Sequence, residues 1–174
     1  MNPLQNKWIL SFINQSETQS KKYEDCIHTM AEFDTVQTFW QVYSHTKLPS
    51  DLNDSFDLNL FRDGYRPAWE DEKNQKSGKW YICLKREFAD LVWEKSVLAC
   101  IGNLFPQEVI GVTVSKKKQD YQAIILSYWI SDIKPNNDEK KIAKKISTVM
   151  EFPSNSILYF KFHGAKPSQK FVIN

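Results

Sequence analysis

The chain has 174 residues, of which 41% are hydrophobic and 25% are charged. This is enough apolar sequence for one hydrophobic core and leaves little for a second, so we expect a single domain over residues 1–174. Lysine and arginine total 23 against 21 acids, a formal net charge of +2, which excludes a protein that coats nucleic acid through its overall charge. Any phosphate binding must therefore be local.

The cysteines and the N-terminal stretch bear on the compartment. Cys26, Cys83 and Cys100 lie far apart and form no C-x-x-C pair, so we expect buried free thiols in a reducing compartment. The N-terminal apolar run is short, with no basic region before it and no small-residue cleavage site, and no segment reaches transmembrane length. These features predict a cytoplasmic protein that does not contact membrane.

The first predicted elements are a strand and a helix. Residues 7–14, KWILSFIN, are aromatic and β-branched and end in a polar stretch, which predicts a strand. In DTVQTFWQVYSH the apolar residues recur at i, i+3, i+4 and i+7, and Asp34 and Gln37 have the spacing of a capping box. This segment is predicted to be the first helix.

The central part predicts two strands and a second helix. Residues 57–61 alternate between polar and apolar side chains and lead into the turn pair Asp63-Gly64. In residues 79–85, KWYICLK, successive side chains point to opposite faces, as in a half-buried strand. The acidic stretch between them is therefore a loop. Residues 86–103 predict a helix that ends at Gly102-Asn103. Its apolar residues on helical spacing are Phe88, Leu91, Val92, Leu98 and Ile101.

The last third predicts a hairpin, a helix and two closing strands. Residues 108–115 and 121–130 are β-rich runs separated by the basic tip KKKQD, as in an antiparallel hairpin. In residues 136–152 the apolar residues Ile142, Ile146, Val149 and Met150 share one helical face. Residues 156–163 and 170–174 read as strands. Together these elements predict an α+β fold in which helices cover one face of an antiparallel sheet.

Most enzyme chemistries find little support in these residues. The chain has three histidines, no G-x-S-x-G motif, no Cys/His signature and no glycine-rich phosphate loop. Glu70, Asp71 and Glu72 could hold Mg²⁺ as part of a metal-dependent nucleotide hydrolase. Three adjacent loop acids without a distant partner are a weak metal signal, and a solvated loop is the simpler interpretation.

The pair Trp69-Glu70 has a second interpretation, as a reader of a base. Aromatic residues make up 14% of the chain, so some rings are expected to face a ligand. A tryptophan face stacks on guanine, while the next carboxylate accepts hydrogen bonds from its N1–H and N2–H₂ groups. A methylated, positively charged guanine would add a cation–π contribution of roughly 1–2 kcal/mol. From the two residues alone, a core tryptophan beside a surface acid remains the simpler interpretation.

Several longer motifs resemble one known family. The sequence WEDEKN followed by SGKW is similar to the eukaryotic translation initiation factor 4E family, as are NPLQNKWIL, EFDTVQTFWQVYSH and LFRDGYRPAWEDEKN. The matches occur in order, with near-identical spacing until about Lys85. The resemblance implies a curved antiparallel sheet with about three helices on its convex face. It also implies that the mRNA 5′ cap, 7-methylguanosine triphosphate, lies on the concave face.

The resemblance assigns the residues that would bind the base of the cap. Trp69 would be one ring of an aromatic sandwich, and Glu70 would accept from the guanine edge. The second ring would be Tyr23, where the initiation factor usually has tryptophan and the repressor-type homologue has tyrosine. Tyr23 should therefore stack somewhat more weakly than a tryptophan.

The triphosphate positions match the family less closely. Leu126 stands where the family has a tryptophan near the methyl group, and Gln119 stands where a basic residue is expected. Lys117 aligns with the first basic phosphate ligand, but a lysine lacks the bidentate fork of arginine. A hairpin register that differs by one would bring in its neighbours. The predicted cap-phosphate-binding residues are Lys79, Lys116, Lys117, Lys118 and Gln122.

The charged tip of the hairpin has a simpler explanation as well. Lys116, Lys117 and Lys118 would oppose aggregation at a strand edge whether or not they bind phosphate. A phosphate clamp at this tip needs a base-reading partner nearby, which Trp69-Glu70 would supply.

The resemblance also implies a protein partner. The family binds a 4G-type scaffold and 4E-binding regulators through a helical Y-x-x-x-x-L-Φ motif on the opposite face. The family usually has Leu-Glu where this chain has Glu94-Lys95, which removes an apolar contact and reverses a charge. The predicted partner-binding surface comprises Pro3, Leu4, Val36, Trp40, Glu94 and Lys95.

The resemblance predicts a monomeric, non-catalytic, cofactor-free protein that binds capped mRNA for translation initiation. The alternatives are a cap-binding repressor paralogue with altered scaffold binding and, more distantly, the metal-dependent hydrolase. Tyr23 and the Glu94-Lys95 pair favour the repressor.

Overall fold

The computed structural model describes residues 1–53, 55–68, 70, 74, 77–116, 123–131, 138–165 and 169–174. The strands are β1 (Pro3–Asn14), β2 (Ile27–Thr35), β3 (Phe56–Arg62), β4 (Gly78–Lys85), β5 (Val109–Lys116), β6 (Ala123–Ile130), β7 (Ile157–Phe162) and β8 (Gln169–Val172). The helices are α1 (Val36–Tyr43), α2 (Arg86–Ile101) and α3 (Asp138–Met150).

The strands form one curved antiparallel sheet in the order β2-β1-β3-β5-β6-β4-β7-β8. Each strand alternates its side chains between the two faces. On β3, Leu58 and Leu60 are buried against the helices, whereas Asn59 and Phe61 point the other way. We call the concave face opposite the helices the open face. The sheet thus has one apolar side that needs cover and one side available to a ligand.

The core lies between the sheet and the helices. Trp80 of β4 and Trp93 of α2 are almost completely buried there. The Trp80 indole donates to the backbone carbonyl of Glu139 at 3.0 Å, which ties α3 to the sheet. The Tyr128 hydroxyl lies 2.9 Å from the Ser96 hydroxyl, so this buried polar pair is satisfied.

The first helix is capped one residue later than the sequence predicted. The Thr35 side chain accepts from the backbone N–H of Thr38, and the Thr38 hydroxyl accepts from the backbone N–H of Thr35. The prediction of a cap by Asp34 and Gln37 was therefore wrong. The two threonines form the same reciprocal arrangement with hydroxyl groups.

The second helix has the predicted length but a different buried face. Its C-cap is Gly102, as expected. Phe88 and Leu91 are 50% and 69% exposed, so apolar spacing alone did not identify the core side of α2. The buried side carries mostly smaller residues and one large ring. Its buried residues are Ala89, Trp93, Ser96, Val97, Ala99, Cys100 and Ile101.

The predicted fold class, an antiparallel sheet with three helices on its convex face, is confirmed. The β5–β6 pairing and the Asp63-Gly64 turn are also confirmed, with Gly64 at a φ of 86°. The sequence reading missed β2 and made β1 four residues too short. All three cysteines are free, but Cys83 is exposed, so its predicted burial was wrong. No helix of the described ranges is long and apolar enough to cross a membrane.

Candidate functional site

The loop between β3 and β4 is held by one buried asparagine. The Asn74 side-chain amide donates to the carbonyl oxygens of Arg66 at 3.0 Å and Ala68 at 2.7 Å. The Ser77 hydroxyl in turn donates to the Asn74 carbonyl. Asn74 is completely buried, so these bonds form away from water and resist fraying. The loop backbone is thereby fixed immediately before Trp69 and Glu70.

Glu70 and Tyr23 approach each other from different loops. Tyr23 opens a short 3-10 helix (Tyr23–Cys26) between β1 and β2 and is half-buried, while Glu70 is exposed in the β3–β4 loop. Burial raises the pKa of the Tyr23 phenol, and the negative charges of Asp57 and Glu70 raise it further. These charges act on Tyr23 because both carboxylates lie close to it. The structure therefore brings together two of the three predicted base-binding residues. Trp69 lies outside the described residues.

An aromatic cluster that the sequence reading missed lies on the open face. Trp129 packs edge-on against Phe61, with ring centroids 5.4 Å apart, and its indole donates to the Thr113 hydroxyl at 3.4 Å. A Cβ on Gly111 would stand 2.7 Å from both the Leu60 carbonyl and the Phe61 ring, so this position needs glycine. The alternation of side chains along β6 would by itself have placed Trp129 on the other face of the sheet from Tyr128, facing away from the helices.

Lys79, a predicted phosphate ligand, lies on the open face, on an inner strand of the sheet between β6 and β7. It pairs across the strands with Trp129 of β6 and Lys161 of β7. Its Nζ is 5.6 Å from the centre of the Trp129 ring. Burial lowers the pKa of Lys79 and the charge of Lys161 lowers it further, while Asp57 acts in the opposite direction. Lys79 thus projects from the same face as the aromatic cluster.

The structure separates Lys116 from Lys79. The Lys116 ammonium donates to the Leu52 carbonyl, on the side where Val112 and Val114 pack against the helices. In the observed register Lys116 therefore lies on the helix side of the sheet and not on the open face. The predicted ligands Lys117, Lys118 and Gln122 lie outside the described residues, as does Gln119.

The alignment of Leu126 with a ligand-facing ring was wrong. Leu126 is completely buried in the core, paired with Ile82 and Val114. Because side chains alternate along β6, its neighbour Ile125 occupies the open face. Leu126 therefore does not stand where a ligand-facing ring would be.

The predicted partner-binding residues of β1 and α1 are brought together by backbone pairing. Pro3 pairs with Thr35, and the Val36 N–H donates to the Asn2 carbonyl at 2.9 Å, which places the start of β1 beside the start of α1. Trp40 is 44% exposed, which confirms the expectation that it reaches the surface. Leu4 is half-buried and packs against the core.

The remaining predicted partner residues lie on α2. The ring of Tyr43 packs against Trp40, with ring centroids 6.0 Å apart. Burial raises the pKa of the Tyr43 phenol, and the negative charges of Glu94 and Asp90 raise it further, so Glu94 is a neighbour of this ring. Lys95 forms an ion pair with Glu151 at 2.5 Å, and its ammonium lowers the pKa of that carboxyl group. A groove of about 310 Å³ runs along this side of α2. Its lining includes Leu91, Glu94, Lys95, Leu98 and Leu104.

The acidic loop does not assemble a metal centre from the part of the chain that the structure describes. No group of three histidine, cysteine or acidic side chains in those ranges has the geometry to hold a metal ion. Asp71 and Glu72 lie outside them.

Comparison with known proteins agrees with this architecture. The model of the family described as eukaryotic initiation factor 4E matches residues 3–172. Eukaryotic translation initiation factor NCBP of Triticum aestivum is 32% identical over 168 residues, which cover 95% of this chain and 71% of that protein. Eukaryotic translation initiation factor 4E of Homo sapiens is 31% identical over 186 residues, covering 98% and 83%.

Solved structures of initiation factor 4E proteins share this fold. C. elegans eIF4E-3, in complex with the 4E-binding protein Mextli and cap analog, superposes with a TM-score of 0.86 at 28% identity, over 98% of this chain and 99% of that chain. Ascaris suum eIF4E-3 with m2,2,7G cap gives a TM-score of 0.84 at 28% identity, over 97% of each chain.

The curved sheet and its three helices define a translation-factor fold with an open face for a ligand. The chain belongs to the eukaryotic initiation factor 4E family.

Proposed function

We propose that this protein binds the 7-methylguanosine 5′ cap of mRNA and delivers capped mRNA to translation initiation. The observation that carries the proposal is the approach of the Tyr23 ring and the Glu70 carboxylate, from two separate loops, in a chain of this family. An aromatic ring and a carboxylate near one another suit a flat base that has donors along one edge. Guanine is such a base.

Each group has a separate task in this proposal. Tyr23 and Trp69 stack on the two faces of the base, and the positive charge of a methylated guanine strengthens that stacking. Glu70 accepts from N1–H and N2–H₂, with the charge-assisted strength of an ionised acceptor. Lys79, together with Lys117 and Lys118 of the β5–β6 connection, binds the phosphates. No bond of the ligand is made or broken, so the protein acts as a binding factor and not as an enzyme.

The relatives support the rest of the proposal. Those of wheat and human are named as initiation factors, which favours the initiation role over the repressor role, and a solved relative is bound to a 4E-binding protein. We infer that this chain is a single cap-binding domain that works as a cytoplasmic monomer. It would bind a 4G-type scaffold and 4E-binding regulators through a Y-x-x-x-x-L-Φ helix on the surface around Trp40.

The proposal is tested by titration with methylated and unmethylated GTP. We expect the methylated nucleotide to bind about 10-fold or more tightly, because desolvated cation–π stacking contributes about 1–2 kcal/mol. Intrinsic tryptophan fluorescence or calorimetry would measure both affinities. Equal affinity for the two nucleotides would contradict recognition of the charged base.

Partner binding gives a second prediction. We expect Trp40→Ala to weaken a Y-x-x-x-x-L-Φ scaffold peptide about 30-fold, because exposed tryptophans that anchor such helices contribute about 2 kcal/mol or more. Phe88→Ala is the matched control, since Phe88 is an exposed ring on α2 outside the predicted surface. Peptide pull-down and calorimetry measure the loss. A wild-type protein that binds cap and retains no scaffold peptide would support the repressor role instead.

A further inference from the structure

Three basic side chains converge on the open face beside Trp129. Lys79 and Lys161 are directly opposite each other on β4 and β7. His163 follows β7, and its ring centroid lies 4.2 Å from that of Trp129, with the ring planes at 34°. The Lys79 ammonium lies over the same indole at 5.6 Å. Trp129 thus contacts Lys79 and His163, and Lys161 lies across from Lys79 on the next strand. We call Lys79, Lys161 and His163 the basic cluster.

The basic cluster is electrostatically unbalanced. Like charges directly opposite each other on neighbouring strands destabilise a sheet. Within the described ranges, neither Lys79 nor Lys161 forms an ion pair with a carboxylate. Among the acids that the structure describes, Asp57 is the one whose charge acts on Lys79. The cluster therefore carries repulsion that a bound anion would relieve.

His163 responds to this excess of positive charge. Burial lowers the pKa of His163 to about 4, and the charges of Lys79 and Lys161 contribute to the shift. Its Nε2 atom is buried and has no hydrogen-bond partner among the described residues. A buried ring nitrogen without a partner is a cost that a ligand able to donate or accept a hydrogen bond would remove. A phosphate oxygen opposite a protonated Nε2 is one such partner.

We propose that Lys161 and His163, together with Lys79, form a phosphate-binding subsite on the open face. This subsite rests on the proposed function in one respect, since its natural ligand would be the phosphate chain of the cap or the phosphate that follows it. The basic cluster and the base-binding residues share one neighbour, because Asp57 acts on both Lys79 and Tyr23. Lys161 is thereby assigned as a direct contact to phosphate and not as a surface lysine.

The first experiment compares ligands that differ only in phosphate. Lys161→Gln is expected to weaken inorganic tripolyphosphate and 7-methyl-GTP about 10-fold each and to leave 7-methylguanosine unchanged, because it removes one charge-assisted contact. The slope of log affinity against log salt should fall by about 1. Lys145→Gln, which removes an exposed lysine of α3, is the control and should change neither the affinities nor the salt slope. Thermal unfolding verifies that both variants are folded.

The ligands also separate the two proposals. If 7-methylguanosine fails to bind the wild-type protein while tripolyphosphate still binds through Lys161, the cap proposal fails and the subsite stands. If tripolyphosphate affinity is the same in the wild type and in Lys161→Gln, the subsite is wrong. A larger loss for a cap trinucleotide, which carries one phosphodiester after the triphosphate, than for a cap dinucleotide would assign Lys161 to the phosphate beyond the triphosphate chain. An equal loss would assign it to the chain itself.

His163 is tested in the wild-type protein by NMR titration of its ring. A bound phosphate favours the imidazolium, so the pKa of His163 should rise from about 4 by at least about one unit when tripolyphosphate is added. A ring that only packs against Trp129 would keep its pKa. An unchanged titration curve at saturating tripolyphosphate would therefore remove His163 from the subsite.

Discussion

Glu70→Gln is expected to weaken binding of 7-methyl-GTP about 30-fold or more, a loss of about 2 kcal/mol. The ionised carboxylate can accept from both N1–H and N2–H₂ of guanine, whereas an amide offers one oxygen and turns its own N–H₂ group toward a donor. Glu70 is exposed and lies in a turn, so the thermal unfolding temperature should stay the same. Fluorescence titration of the folded variant measures the loss.

The matched control for Glu70 is Glu24→Gln. Glu24 is an exposed acid next to Tyr23 and carries the same charge in the same region. If binding depends on the guanine edge, Glu24→Gln should leave the affinity within about twofold, since exposed charges contribute little. Equal losses in the two variants would mean that negative charge near Tyr23, and not the contact with the base, controls binding.

Asn74→Ala is expected to reduce both stability and cap affinity. The substitution leaves the carbonyl oxygens of Arg66 and Ala68 without their donor in a buried site, which costs about 2–3 kcal/mol. For a chain of this length, that corresponds to a decrease of about 4–12 °C in the unfolding temperature. Because these carbonyls directly precede Trp69-Glu70, the backbone that leads into the pair should lose its fixed position, and the affinity for 7-methyl-GTP should decrease.

Two further variants test whether the amide donors of Asn74, and not the loss of any polar side chain, hold the β3–β4 loop in place. Asn74→Asp keeps the shape but removes the donors, so it should be as destabilising as Asn74→Ala. Asn53→Ala changes an exposed asparagine and should alter neither the unfolding temperature nor the affinity for 7-methyl-GTP. A stable Asn74→Asp protein with unchanged cap affinity would show that the amide donors do not hold the loop.

Some elements could be predicted from local sequence because the periodicity of their apolar residues determines them. The period-2 alternation of residues 79–85 and the apolar face of residues 142–150 are properties of neighbouring residues in the chain. The motif WEDEKN was informative in a different way. Resemblance marked Trp69 and Glu70, yet it said nothing of why Asn74 closes the motif. The structure supplies that reason, since Asn74 binds the carbonyls of the residues that precede the pair.

Other assignments failed because they depend on which face a residue occupies. Leu126 and Ile125 differ by one position and lie on opposite sides of the sheet, so one uncounted residue in the hairpin exchanges them. Lys116 is charged like its neighbours but points toward the Leu52 carbonyl. Phe88 and Leu91 have helical spacing and remain exposed, because a different side of α2 packs against the core.

The sequence by itself determined the fold class, the family and the loop residues that would read a base, because these follow from periodicity and from motifs that are contiguous in the chain. The tertiary structure alone decided the neighbours of Lys79. Lys161 and Trp129 are far from it in sequence, and the pairing of β4 with β6 and β7 puts all three on one face. Charges that meet only through strand pairing leave no local signal, and for that reason the basic cluster could be recognised only in the folded chain.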